Sequence, residues 1–149
     1  MSPEHLQDYT QMEFYWAYAD YKDGMELVKR LYREITKNVL GTSKFISKGY
    51  EIDMDAEWQI YDFETIIKDG TGISIYEATK EDIIKKLNQE EIEFDPNVSY
   101  WRLVDILWKM VRKTLTGPGF LVGQPVELNP LPKRLQEDQR KVAQFQVIL

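Results

Sequence analysis

The sequence contains no cysteine and one histidine, His5. Without cysteine there is no disulfide framework and no thiolate zinc site. A serine- or cysteine-type triad would have to be built around His5, and no GxSxG motif frames a serine. No apolar run approaches membrane-spanning length, and the N-terminus has no signal-peptide core. No P-loop is present: Gly70-Thr71-Gly72-Ile73-Ser74 lacks both the lysine and the spacing. Positive charge is also short. Lys and Arg number 19 against 25 Asp and Glu, a net charge of −6, which argues against a stand-alone nucleic-acid binder. No repeat or low-complexity tract occurs. These absences predict a cytoplasmic chain without membrane contact. Its 149 residues, 43% of them hydrophobic, form one domain or part of a larger one and can bury a core.

What the chain has in plenty is aromatic residues, 13% of the total, and they crowd into Gln11–Tyr21, QMEFYWAYADY. Written as a strand, this stretch sorts into two faces. Met12, Phe14, Trp16 and Tyr18 make an ordinary core face ending in Asp20. The other face holds Glu13 and Tyr15, then the small Ala17 and Ala19. A carboxylate and a phenol over two alanines suit a cation pocket, because burying an ammonium needs a paired charge and hydrogen-bond acceptors. On spacing alone, an ion pair from Glu13 to a neighbouring strand's Lys or Arg is the better reading.

The rest of the chain predicts α+β architecture: a mostly antiparallel sheet flanked by helices. Met25, Val28, Leu31, Tyr32, Ile35 and Val39 mark an amphipathic helix, capped by Asp20 or Asp23 and closed by Gly41. Residues 45–61 read as one or two strands in a hairpin. Asp62 to Lys68 reads as a short helix. Thr79 with Asp82 approaches a capping box, and Ser99 caps a third later helix with its stripe on Leu103, Ile106, Leu107, Met110, Val111 and Leu115. Phe120 to Val122 and Val142 to Leu149 read as strands. The abrupt apolar ends suggest a piece of a longer fold.

Other candidate chemistry is weaker. His5 could meet phosphate oxygens and Tyr9 could stack on a base, but a solvated histidine and a packed tyrosine are the plainer readings. Lys133-Arg134 and Arg140-Lys141 could contact phosphate, although acids intersperse them. Glu51, Asp53, Asp55 and Glu57 alternate as a solvated strand face would, with no histidine converging on them, so no metal site is assigned. Trp101 and Trp108 share a helix face and read as core.

The stretch SPEHLQDYTQMEFYWAYADYKDGM resembles the end of motif 2 in class II aminoacyl-tRNA synthetases, specifically the lysyl enzymes. His5, Tyr9, Met12-Glu13-Phe14-Tyr15 and Ala17 to Tyr21 match the loop and its returning strand. Aspartyl and asparaginyl relatives typically carry an acid where Tyr15 stands. Independently, GPGFLVGQPVELNPLPKR, residues 117–134, is similar to the lysyl segment ending in Pro-Leu-Ala, with Pro132 in place of the alanine, and residues 142–149 resemble the strand that follows it.

The resemblance implies a partial class II synthetase catalytic core over residues 1–149. Residues 1–21 would be the end of motif 2 with its following strand, about 43–98 an insertion-like region, and 99–149 a helix with returning strands. His5 and Tyr9 would bind ATP, and Glu13 and Tyr15 would bind lysine. The parent would use ATP and Mg2+ to make lysyl-adenylate and pass lysine to tRNA, as a homodimer. Motif 1, the motif 2 arginine and motif 3 lie outside this sequence, so the chain alone is expected to be inactive, with no tightly bound cofactor. The alternative is a non-catalytic, synthetase-derived binding or interaction protein.

Overall fold

The computed structural model describes residues 8–47 and 49–149. Helix α1 spans Tyr21–Leu40. Asp20 starts it: its Oδ1 accepts the N–H groups of Lys22 and Asp23 at 2.7 and 3.1 Å, and the Asp23 carboxylate accepts the Asp20 N–H at 2.9 Å. This reciprocal arrangement satisfies donors that a helix end otherwise leaves open. Gly41 closes the helix at φ 70°, donating its N–H to Lys37, a left-handed conformation that glycine adopts without steric cost.

The hairpin follows as expected, with β1 (Lys44–Ser47) and β2 (Tyr50–Asp53) antiparallel and Phe45 opposite Ile52. Met25, Val28 and Tyr32 of α1 pack against a small core of Ile52, Met54, Trp58 and Phe120. Trp58 is its hub, 5.9 Å from Tyr32 and 4.7 Å from Phe120 between ring centroids. Its buried indole N–H donates to the Met54 carbonyl at 3.2 Å. Arg33 donates to the carbonyls of Met54, Asp55 and Ala56, so one guanidinium holds the turn after β2 against α1.

Strand β3 (Gln59–Asp62) leaves the hairpin and enters a second sheet of order β3-β4-β5, with β4 at Gly119–Val122 and β5 at Gln146–Ile148. β3 runs parallel to β4, and β5 antiparallel to it. A parallel pair needs a long crossover. Here it consists of α2 (Phe63–Thr71), α3 (Lys80–Gln89) and α4 (Tyr100–Val111). Asp62, Thr79 and Ser99 each accept a backbone N–H three residues on. The larger core lies between these helices and the sheet, with Ile67, Ile83, Leu87, Leu103, Leu107 and Leu121 fully buried. The fold is α+β and its strand pairings are mostly antiparallel.

Three expectations need correction. Gln11–Tyr21 is not a strand: residues 8–20 carry no strand and α1 begins at Tyr21. A strand exists only through hydrogen bonds to a neighbour, and no described strand lies beside this one. The 45–61 region is a hairpin plus a third strand that pairs elsewhere. The last strand is confined to Gln146–Ile148, because Val142 and Ala143 donate instead to Gln124 and Lys133.

Helices α2 and α4 touch so closely at Gly70 that a Cβ there would stand 2.6 Å from Val111 Cγ1. Gly70→Ala should therefore destabilise the fold in urea unfolding, although alanine in a helix interior ordinarily gains about 1 kcal/mol over glycine. Adding Val111→Ala should recover part of the loss. A more stable Gly70→Ala protein would refute the close approach.

Candidate functional site

His5 lies outside the described residues. Tyr9, Glu13 and Tyr15 sit on the exposed segment that leads into α1. The Tyr9 hydroxyl donates to Gln11 Oε1 at 3.3 Å, and Gln11 Nε2 donates to Glu13 Oε1 at 2.9 Å. Contacts between residues two apart arise when the chain is extended, since alternate side chains share a side. Tyr9, Gln11 and Glu13 are thus brought together and Tyr15 is not: its ring is 98% exposed. Ala17 is exposed as well, and no wall closes over it. Among the described residues no lysine or arginine pairs with Glu13. The segment carries the expected residue types in the expected order, but no enclosed pocket.

The most highly organised polar cluster lies elsewhere and was not foreseen. Lys141, with its side chain 16% exposed, reaches Asp62 Oδ2 at 2.9 Å and Glu64 Oε2 at 3.7 Å. Asp62 simultaneously caps α2 with its other oxygen. Arg140 holds Asp138 through two N–H groups, at 2.9 and 2.8 Å, and its guanidinium lies 4.1 Å from the centre of the Tyr76 ring. The Arg140 hydrogen bond draws the Asp138 carboxyl down to about 2, and the Asp138 bond in turn raises Arg140. Burial pushes the Tyr76 phenol well above its usual range, with Asp138 adding to the effect. The Tyr76 hydroxyl is buried without a partner among the described residues.

This cluster fastens the proline-rich loop. Val126 donates to the Arg140 carbonyl and Val142 to that of Gln124. The amides of Gln124 and Gln144 hydrogen-bond to each other. Arg140 and Lys141 are therefore spent on acids of their own chain rather than offered to phosphate. Lys133 and Arg134 stay exposed, with Arg134 donating to the Gln139 carbonyl. The alternating acids behave similarly: Asp53 pairs with Lys44, and Asp55 with Arg33 and Lys37. Among the described residues no three His, Cys, Asp or Glu side chains converge as a metal ion requires, so the residues described do not form a magnesium site. No helix among them is long and apolar enough to cross a membrane.

A caps-and-crossover α+β domain with an Ala-Tyr-Ala-Asp-Tyr entry to its first helix defines a class. The family model for tRNA synthetases class II (D, K and N) matches residues 1–149, and the chain belongs to that family. Within it, the similarity is to lysine–tRNA ligases. The chain is 34% identical to that of Thermosipho africanus over 149 residues, all of this chain and 30% of the relative. The Thermotoga maritima lysine–tRNA ligase gives 34% identity with 30% of its length covered, and that of Staphylococcus aureus 33% over 151 residues with 30% covered. The chain spans about 30% of the length of the curated relatives it matches.

The raised Tyr76 phenol has a defined consequence for stability. A group that holds its proton more tightly when folded contributes fully below its unfolded pKa, about 10 for tyrosine, and loses that contribution as pH rises further. Melting temperature should therefore fall as pH is raised above that value. Tyr76→Phe should flatten the fall in part, since burial also raises Tyr61 and Tyr100. An unchanged alkaline slope in the Tyr76→Phe protein would remove the assignment.

Proposed function

We propose that these residues form part of the catalytic domain of a cytoplasmic lysine–tRNA ligase, which activates lysine with ATP to lysyl-adenylate and transfers it to tRNA. The carrying observation is the match to lysine–tRNA ligases along the whole of the chain. Glu13 and Tyr15 line the lysine site, and His5 and Tyr9 serve ATP. Adenylate formation joins the lysine carboxylate to the α-phosphorus and releases pyrophosphate. Catalysis there consists of holding both substrates in line and stabilising the developing charge. Magnesium, when bound, would neutralise phosphate charge, and the described residues supply no ligand set for it.

The part of this chain is selection. The Glu13 carboxylate faces the substrate's alkylammonium once the site is closed by segments beyond these residues. A substrate without that charge leaves the acid buried and unpaired, which costs several kcal/mol. We further propose that this chain by itself does not catalyse, a reading that the segment's exposure supports. The same exposure also fits a synthetase-derived binding protein, and activity of the longer polypeptide separates the two.

Glu13→Gln in the full-length ligase should lower kcat/KM for lysine by ~10²-fold, equivalent to about 2.7 kcal/mol, while KM for ATP changes little. Unaltered lysine kinetics would sink the role of Glu13. The 149-residue chain alone should show no lysine-dependent ATP–pyrophosphate exchange, and measurable exchange would overturn the claim of inactivity.

A further inference from the structure

A groove of about 900 Å³ lies where α3 gives way to the segment leading to α4. Its apolar lining is Ile84, Ile92, Phe94 and Pro96. The first three are part-exposed and pack from outside against the large core, so the floor is apolar and fixed. Every residue that lines the groove belongs to the crossover between β3 and β4, and its walls are therefore complete within this chain.

The rim is acidic. Glu91, Glu93 and Asp95 line it, and among the described residues none of the three pairs with a cation. Their neighbour Glu90 is already held by Lys86 at 2.6 Å, and the Asp95 carboxylate accepts only the Asn97 N–H. Glu91 also occupies a position where stability favours glycine. The N–H groups of Glu91 and Ile92 close α3 on the carbonyls of Asn88 and Leu87, a turn whose first residue past the helix is left-handed. Helices α1 and α2 end on Gly41 and Gly72, at φ 70° and 78°. Helix α3 ends instead with Glu91 at φ 54°, a conformation that costs a residue with a side chain more than it costs glycine. A carboxylate is thus kept beside the groove although it lowers stability, as happens where a side chain serves binding.

We propose that this groove docks a cationic segment of another protein, with one apolar side chain seated on Ile84, Ile92 and Phe94 and flanking lysines or arginines against Glu91, Glu93 and Asp95. Charge complementarity sets the occupant. Three unpaired carboxylates around an apolar floor attract ammonium and guanidinium groups and repel phosphate, which turns nucleic acid away from this face. The apolar anchor supplies most of the affinity, because exposed ion pairs are individually weak, and the charges supply selectivity. From Glu91 to Asp95 acids alternate with Ile92 and Phe94, which suits an extended partner whose bases flank an apolar residue. None of these residues has a part in the lysine or ATP sites, so the docking stands apart from that reading.

Fluorescence anisotropy of a labelled peptide, Lys-Arg-Leu-Lys-Arg, titrated with the full-length ligase and separately with the 149-residue chain, tests this. Both proteins should bind it saturably, and more weakly as salt rises. Peptides with serine for the leucine, or glutamate for the bases, should each bind at least ~10-fold more weakly. Glu93→Lys should weaken binding of the original peptide by a similar factor. Glu91→Gly separates binding from folding: it should weaken binding ~5-fold while raising the melting temperature of the chain by ~2–4 °C. Absence of binding by both proteins, or binding indifferent to both substitutions, would overturn the proposal. So would a Glu91→Gly chain that melts lower, since the carboxylate would then be there for stability. Binding by the 149-residue chain but not by the full-length ligase would overturn it too, because the ligase's own segments would then cover the groove.

Discussion

Phe120 and Leu121 are adjacent on β4, point to opposite sides of the sheet, and are both buried. Phe120 belongs to the small core under α1, against Trp58, while Leu121 belongs to the large core among the helices. One short strand therefore joins the two hydrophobic clusters. Everything else is arranged to keep β4 in the middle. β3 flanks it in parallel after the hairpin, β5 flanks it antiparallel, and the three-helix crossover covers one face. Non-directional burial supplies the drive, and the alternation of a strand divides it between two cores.

Polar groups hold the same arrangement at its margin. Asp62 ends β3, caps α2 and receives Lys141, so one carboxylate links the sheet, a helix and the returning loop. Arg140 lies over Tyr76 while holding Asp138. These contacts spend charge on tying the chain together. The segment with the family's substrate residues differs: Tyr9 and Glu13 are linked only through Gln11, and Tyr15 stands 98% exposed. The scaffold and the candidate site are built by different means, one by burial and one by chain direction alone.

Much of the fold was legible because its signals are local. Asp20, Thr79 and Ser99 act on backbone groups two or three residues away, so each cap can be read from neighbouring letters. Gly41 and the hairpin at 44–53 are equally local. The failures are all non-local. QMEFYWAYADY has strand periodicity, but periodicity describes faces and not partners, and the described residues offer it none. The division of 45–61 between two sheets was hidden because β3 pairs with a strand some sixty positions on. Lys141 looked like surface charge because its acids, Asp62 and Glu64, lie far away in sequence; the acid of Arg140 is only two positions off, and what stayed hidden there is the placement of its guanidinium over Tyr76.

By itself the sequence determined where the helices begin, the α+β class and, through the residues around Glu13 and Tyr15, the family to which the chain belongs; it stopped α2 at Lys68 and ran the last helix to Leu115, where the structure ends them at Thr71 and Val111. Only the tertiary structure decided which strands pair, which charges are consumed at Asp62 and Asp138, and that Glu13 stands open to solvent. The reason is one of range. Caps and amphipathic faces are set by dihedral preferences and contacts within a turn or two of chain. Pairing, ion-pair choice and the enclosure of a pocket depend on segments that meet only after the two cores have been buried.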